Sequence, residues 1–451
     1  MIKALLRLAW PLTLSGLVTV VISGNDTVFL GRIGAGAVAA GATAVGVYAV
    51  ATALLNGFAL PAQVLTARHR GAGAPVEAAR SAEHTASLAF WGSVPLVIVL
   101  MLLAEPLIHL IAGSAVDVTT AAAYLRILAG GLPLFAVGVV LGGFATGVGR
   151  SRVVLVGTLC SAAIDIGGTS LLFTFGGGTL GVAVGTLAGS VAPAVVALAW
   201  LRSLKREGIA VPAVREMLRR PDFRHEAWAL GWPGALLGAT GVGSSVVVTV
   251  LLAPSGTVVL ATVRALDVVE RPVWTLIYSL ATAGTTLLAV RVGAGDREGH
   301  DRVVRTLAAA AAVIAVCCVV SLPPVTPAML RVVVEDPQVA AAAGPIVWIY
   351  WAQVLWMAAT ATTNAVLRAH GDTRTPLRAS LIGEYAVFLP VGWLLCRWLG
   401  LGLSGVYVAH HVFWAAFLVV GLIAARRRVA GGLPHRSLDE HESSPSGKGT
   451  E

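Results

Sequence analysis

Apolar residues in this sequence come in long blocks separated by short polar breaks. The blocks lie near 8–31, 43–67, 87–111, 125–148, 153–175, 180–201, 228–252, 262–290, 303–330, 339–367, 377–399 and 404–425. A hydrocarbon core about 30 Å thick is crossed by about 20 apolar residues in a helix. The pattern therefore predicts an all-α integral membrane protein of twelve transmembrane helices.

The blocks repeat. Leu8-Ala9-Trp10-Pro11 returns as Leu230-Gly231-Trp232-Pro233, a spacing of 222 residues. The same spacing carries Gly16 to Gly238, Gly71-Ala72-Gly73 to Gly293-Ala294-Gly295, Arg80 to Arg302, Gly149 to Gly371 and Arg152 to Arg374. Six spans per half is an even number, so the second copy enters the membrane in the same orientation as the first. Two pseudo-symmetric six-helix bundles related in this way enclose a central cavity, and rocking one on the other opens it to either side in turn. The expected division is an N-terminal lobe over 1–202, a cytoplasmic linker over 203–226, a C-terminal lobe over 227–425 and a disordered cytoplasmic tail over 426–451.

Composition agrees with the pattern: 57% of the 451 residues are hydrophobic and 12% charged, with a mean hydropathy of +0.83. The net charge of +9 does not mark a nucleic-acid binder, because the basic residues sit in short loops and form no basic face. With the N-terminus inside, that side holds Lys3, Arg7, Arg68, Arg70, Arg80, Arg150, Arg152, the 202–224 segment, Arg291 to Arg305, Arg368 to Arg378 and the tail. The other side keeps Arg32, Arg126, Arg331 and Arg397. This asymmetry predicts a multi-pass protein of the cell membrane with both termini cytoplasmic. The N-terminal run, interrupted by Asn25-Asp26 and lacking a small-residue cleavage site, reads as an uncleaved first helix. Cys160, Cys317, Cys318 and Cys396 fall inside spans without a pairing or CxxC pattern, as small buried apolar side chains.

Four local patterns stand in order along the chain. They are Trp10-Pro11 followed by Asn25-Asp26-Thr27-Val28-Phe29-Leu30-Gly31-Arg32-Ile33-Gly34, the two Gly-Ala-Gly turns, Gly147-Val148-Gly149-Arg150-Ser151-Arg152, and His370-Gly371-Asp372-Thr373-Arg374-Thr375-Pro376. Together they resemble the multidrug and toxic compound extrusion (MATE) family over nearly the whole chain up to the tail. The resemblance implies a twelve-helix secondary antiporter that expels amphipathic, often cationic organic compounds in exchange for protons or sodium ions. It implies no cofactor and no catalytic residue, with small organic molecules and the bilayer as partners, and the chain is expected to act as a monomer. The superfamily also contains flippases for lipid-linked sugars, which supply a second reading.

A charged side chain at the centre of a span costs about 2.5–3.5 kcal/mol on insertion scales, so each one needs a reason. Asp26, flanked by Asn25 and Thr27, lies roughly 27 Å along a helix that begins near Leu8, and it matches the position of the family's ion-binding acid. A carboxylate withdrawn from water holds a proton more readily, which suits it to trade that proton against a cationic substrate. The competing reading is an interfacial Asp that ends the helix near Gly31.

Asp165 in the fifth span is displaced from the family's acid, whose place counts back from Gly176 to Ser170. It can substitute only if the helix is irregular at Gly167-Gly168. The eighth span carries Arg264, Asp267, Glu270 and Arg271 at i, i+3 and i+4 spacings, which put opposite charges on one face. That set reads either as a structural ion-pair cluster at the cavity or as a substrate- and proton-handling site. Pro272 follows it and should kink the helix.

Glu384, His410 and His411 are further polar groups within spans, read first as packing residues, with Glu384 kept beside the charges of the eighth span as a secondary cavity candidate. Gln63, Gln353 and Asn364 read as interhelical hydrogen-bond glue, worth ~0.6 kcal/mol each. Trp348, Trp351 and Trp356 offer either a drug-stacking surface or packing and interface anchoring. The sodium-coupled branch of the family carries further acids in its seventh and tenth helices, which these spans lack, so a proton is the expected coupling ion. A polytopic enzyme using His410 or His411 as a base finds no nucleophile or metal-ligand spacing beside it, and no Walker sequence supports direct coupling to ATP.

Overall fold

The computed structural model describes residues 1–113, 115–206, 210–223, 225–334 and 336–430, and within them every regular element is helical. The chain runs through α1 (Ile2–Ile33), α2 (Ala35–Gly71), α3 (Pro75–Leu102), α4 (Val118–Ala129 with Leu132–Gly147), α5 (Arg152–Thr174) and α6 (Gly178–Arg206). It continues through α7 (Glu226–Leu252), α8 (Thr257–Gly293), α9 (Arg297–Val333), α10 (Pro337–Ala369), α11 (Arg374–Trp398) and α12 (Gly402–Ala430). Ten of these are long and apolar enough to cross a membrane among the described residues. The two segments of α4, bent by 46°, make an eleventh, and the 27-residue α7 completes the twelve. Without water to satisfy N–H and C=O groups, apolar segments of this length have the helix as their way of pairing every backbone group internally.

Local chemistry sets the ends. Asp117 caps α4 by accepting from the amides of Thr119 and Thr120 at 3.1 and 3.2 Å, and Asp296 caps α9 by accepting from Gly299 at 2.8 Å. These bonds fill donors that a helix start leaves open. The third apolar block, expected to run to residue 111, is divided: α3 stops at Leu102 and a short helix, Ala104–Ala112, follows. Pro106 explains the break, because it has no N–H to continue the ladder of α3. An Arg126–Glu105 pair at 3.1 Å fastens the short helix to α4. By contrast α8 runs through Pro272 as one 37-residue helix. At the C-terminus α12 extends to Ala430, and the rest of the expected tail, 431–451, lies outside the described residues.

The 222-residue spacing reappears in the backbone. Gly34 and Gly256, Gly73 and Gly295, Gly149 and Gly371, and Gly178 and Gly400 are four such pairs, and all eight residues have positive φ. Arg152 lies over the ring of Trp10 at 5.8 Å, and its counterpart Arg374 over that of Trp232 at 6.0 Å. The lobes also meet reciprocally. Gly16 of α1 lies against Thr275 of α8, and their counterparts Gly238 and Ala53 bring α7 against α2.

The tightest reciprocal contact is at the face of the bundle where α1 begins, here the N-terminal face. A Cβ on Gly71 would lie 2.0 Å from the Val290 carbonyl oxygen, and one on Gly293 would lie 1.9 Å from that of Arg68, the residue equivalent to Val290. Arg68 also crosses between lobes, donating to the Ala369 carbonyl at 3.0 Å and pairing with Glu226 at 3.1 Å. Gln63 adds two bonds from α2 to α8, to the Thr282 carbonyl and Thr286 hydroxyl, both 2.8 Å. The two lobes are thus closed on each other at the N-terminal face.

The segment between the lobes is anchored there too. His225 stacks on His84 of α3 at 4.4 Å and its Nδ1 accepts from the Ala227 amide at 3.1 Å. Burial first, then the neighbouring His84, holds His225 below the usual imidazole range. The folded chain therefore binds fewer protons here than the unfolded chain, and the stabilisation present above an ordinary histidine pKa of about 6.5 fades as pH falls below it. The protection of amides around Ala227, taken relative to the intrinsic exchange rate at each pH, should fall between roughly pH 7 and 5, and His225→Gln should flatten that dependence. An unchanged profile in the variant would assign the effect elsewhere.

Candidate functional site

Two separate groups of intramembrane polar residues emerge, one in each lobe. In the N-terminal lobe, α5 and α6 approach closely because α6 presents glycines one turn apart. A Cβ on Gly189 would lie 2.7 Å from the Asp165 Cβ, and one on Gly185 would lie 2.2 Å from the Thr169 hydroxyl. That contact seats Asp165 in the interior, 2% exposed, where Thr169 donates to it at 3.4 Å.

Asp26 comes from α1 to the same place. Thr186, between the two glycines of α6, donates to Asp26 Oδ2 at 3.2 Å. Asp26 Oδ1 is buried and takes no bond from an amide or hydroxyl, while the carboxyl of Asp165 is within hydrogen-bonding reach of that of Asp26. Asn25 stands beside the pair, and the fully buried Tyr124 of α4 lies close to both acids. Two carboxylates in contact repel strongly, whereas one carboxylic acid donating to one carboxylate is a stable pair. This arrangement suits the binding and release of one proton.

α1 ends at Ile33, close to the Gly31 expected from the sequence, with Asp26 about two turns before that end. Two expectations change here. Asp165 reaches Asp26 although α5 is unbroken through Gly167-Gly168, so no irregularity is needed. Thr27, grouped with the acids in the sequence, is exposed and donates to the Ser23 carbonyl at 3.0 Å. Successive helical residues point about 100° apart, which turns Thr27 away from its neighbour's site. Thr169, Thr186 and Tyr124 were not singled out from the sequence. The Gly185–Gly189 spacing around Thr186 was the available signal.

The C-terminal lobe holds a cavity of ≈ 750 Å³ between α7, α8, α10, α11 and α12, edged by Asn56 and Gly57 of α2. It does not include Asp26 or Asp165. All four residues of the charged set of α8 line it. Arg264 pairs with Asp267 at 3.6 Å and donates to Thr249 at 2.8 Å, and Arg271 lines the open space. Glu270 also lines the cavity, 7% exposed, and accepts from Gln353 at 3.1 Å and from the Tyr350 hydroxyl at 2.8 Å. Gln353 is thus interhelical glue attached to an acid. Glu384 is buried and lines the cavity from α11.

The cavity's aromatic wall is formed by Trp274, stacked on Tyr278 at 4.8 Å and tilted against Trp414 at 5.9 Å. The tryptophans of α10 lie elsewhere. Trp351 is buried and donates to Thr326 at 2.7 Å, Trp356 donates to His411 at 3.0 Å, and Trp348 is exposed. His411 bonds the Ile349 carbonyl at 2.8 Å through its other nitrogen, a packing role. His410 stacks on Phe388 at 4.5 Å and borders the cavity. An apolar, aromatic space with a few polar groups converging on it is what a small organic molecule requires.

This fold has close parallels among known proteins. A family model described as MatE matches residues 11–169 and 235–394, one segment in each lobe. The "Probable multidrug resistance protein NorM" of Deinococcus radiodurans is 28% identical over 463 aligned positions, covering 97% of this chain and 96% of that protein. Among solved structures, one of MATE in the bent conformation superposes with a TM-score of 0.85 at 18% identity, covering 95% of each chain. The eukaryotic MATE transporter AtDTX14 superposes at 0.83 and 18% identity, covering 95% of this chain and 98% of that one. At such identities the structural likeness speaks for the fold alone.

Proposed function

The chain belongs to the MatE family, and from that premise we propose that this multi-pass membrane transporter is an antiporter that exports amphipathic, often cationic organic molecules in exchange for protons. The observation that carries the reading is the contact between Asp26 and Asp165. A pair that shares one proton is a natural site for taking up a second from the outside and yielding it to the inside. The proton is preferred over sodium because the seventh and tenth spans lack the further acids that the sodium-coupled branch of the family carries.

Cargo and proton occupy different lobes in this reading. The link between them is α1, which carries Asp26 and also packs against α8, the wall of the cavity, at Gly16. Protonation changes what α1 bonds to in the N-terminal lobe, and α1 in turn biases the rocking of one lobe on the other. We place the lobes at 1–202 and 227–425, the N-terminal face and both termini in the cytoplasm, and the chain in the cell membrane as a monomer. The closed N-terminal face then makes this the outward-facing arrangement.

Purified protein in liposomes should accumulate a cationic dye when a pH gradient is imposed, and replacing sodium with choline should leave the rate unchanged. Strict dependence on sodium would overturn the choice of ion, and indifference to both gradients would overturn antiport.

A further inference from the structure

Arg368 stands one residue before the end of α10 and lines the C-terminal cavity together with Asn364, one turn earlier on the same face. The guanidinium has no ion-pair or hydrogen-bond partner among the described residues. Arg264, by contrast, is matched by Asp267 and Thr249. A cation inside a helix bundle with nothing opposite it is costly unless a counter-charge arrives. Its planar fork of donors fits two oxygens of one acid group, and Tyr278 and Trp274 of the aromatic wall border the same space.

We propose that this end of the cavity is an anion subsite, in which Arg368 holds the carboxylate of an aromatic amphipath whose rings lie along Trp274, Tyr278 and Trp414. The opposite end, with Asp267 and Glu384, receives the positive part of a zwitterion. The inference rests on the transporter reading above, but concerns binding and needs no gradient.

The test uses full-length protein in nanodiscs and two dyes that differ by a methyl group and one negative charge: tetramethylrhodamine free acid and its methyl ester. Fluorescence polarisation should give tighter binding of the acid. Arg368→Gln should weaken the acid by about tenfold, roughly the loss of one charge-assisted pair, and leave the ester nearly unchanged, while Arg368→Lys recovers part of the loss. Equal effects on both dyes, or none, would overturn the subsite. In the unsubstituted protein benzoate should displace the acid dye and benzamide should not, and failure of benzoate overturns the subsite whatever the variants do. Displacement by short-chain phosphatidylglycerol at benzoate's concentration would assign the anion to a lipid headgroup and overturn the small-molecule reading. A protein that prefers the acid dye yet moves neither dye under a pH gradient keeps the subsite and refutes antiport.

Discussion

Asp26→Asn should abolish export driven by a pH gradient, to the level of protein-free liposomes, in a protein that still folds and reaches the membrane. Asparagine has the size of aspartate and can still accept from Thr186, so the packing of α1 on α6 survives. What it loses is the exchangeable proton, and with it the one-proton pair made with Asp165. Asp165→Asn should have the same effect, because either change leaves a single acid. The double variant should be little worse than either one, as expected of residues that act as a unit. Gradient-free exchange of labelled against unlabelled dye should persist, which separates loss of coupling from loss of folding. If Asp26→Asn exports as well as the parent, the pair does not drive transport.

Gly293→Ala should block closure of the N-terminal face. The added methyl carbon would lie 1.9 Å from the Arg68 carbonyl oxygen, and a backbone oxygen at a helix end has no rotamer by which to escape. Gly71→Ala meets the Val290 oxygen at 2.0 Å and should act alike. Each variant shifts the population toward the arrangement in which this face is open, since a conformer with a clash that the other lacks loses its share. Transport should fall sharply. A cysteine in place of Thr286, buried in the seam beside Gln63, in a chain whose four native cysteines are replaced, should react faster with a membrane-impermeant thiol reagent applied to that face. Normal transport in both variants would show that the face never needs to close this tightly. The same substitution at Gly73, where no atom lies within 4 Å of an added Cβ but φ is +73°, separates backbone strain from the clash.

The large-scale features were legible because they follow from composition and order. Twelve apolar blocks, a fixed spacing and four ordered patterns required no knowledge of contacts, and the fold follows them. The site was legible only in part, because its members are set by how helices rotate on one another. Asp165 read as displaced by more than a turn. Its nearness to Asp26 comes from Gly185 and Gly189, which draw α5 onto α6, and such a pairing leaves no mark on the sequence of α5. The charged set of α8 reads as one face, and all four of its residues line the cavity, but the bonds that Glu270 makes to Tyr350 and Gln353 of α10 depend on packing that the sequence of α8 does not record. Arg368 counts among loop arginines in the sequence, and only the packing of α10 against α8 and α12 places it on the cavity wall.

The seam between the halves uses the same patch twice, glycine of one copy against carbonyl of the other. A single ancestral six-helix chain meeting its twin face to face would make both contacts at once, so fusing two such chains required no new surface. Fusion did permit difference. Residue 248, the counterpart of Asp26, is Val; residue 387, that of Asp165, is Val; and Tyr48 stands where the other copy has Glu270. A symmetric pair would have had to keep every acid in duplicate, whereas the joined chain holds its carboxyl pair on one side of the seam and its large cavity on the other.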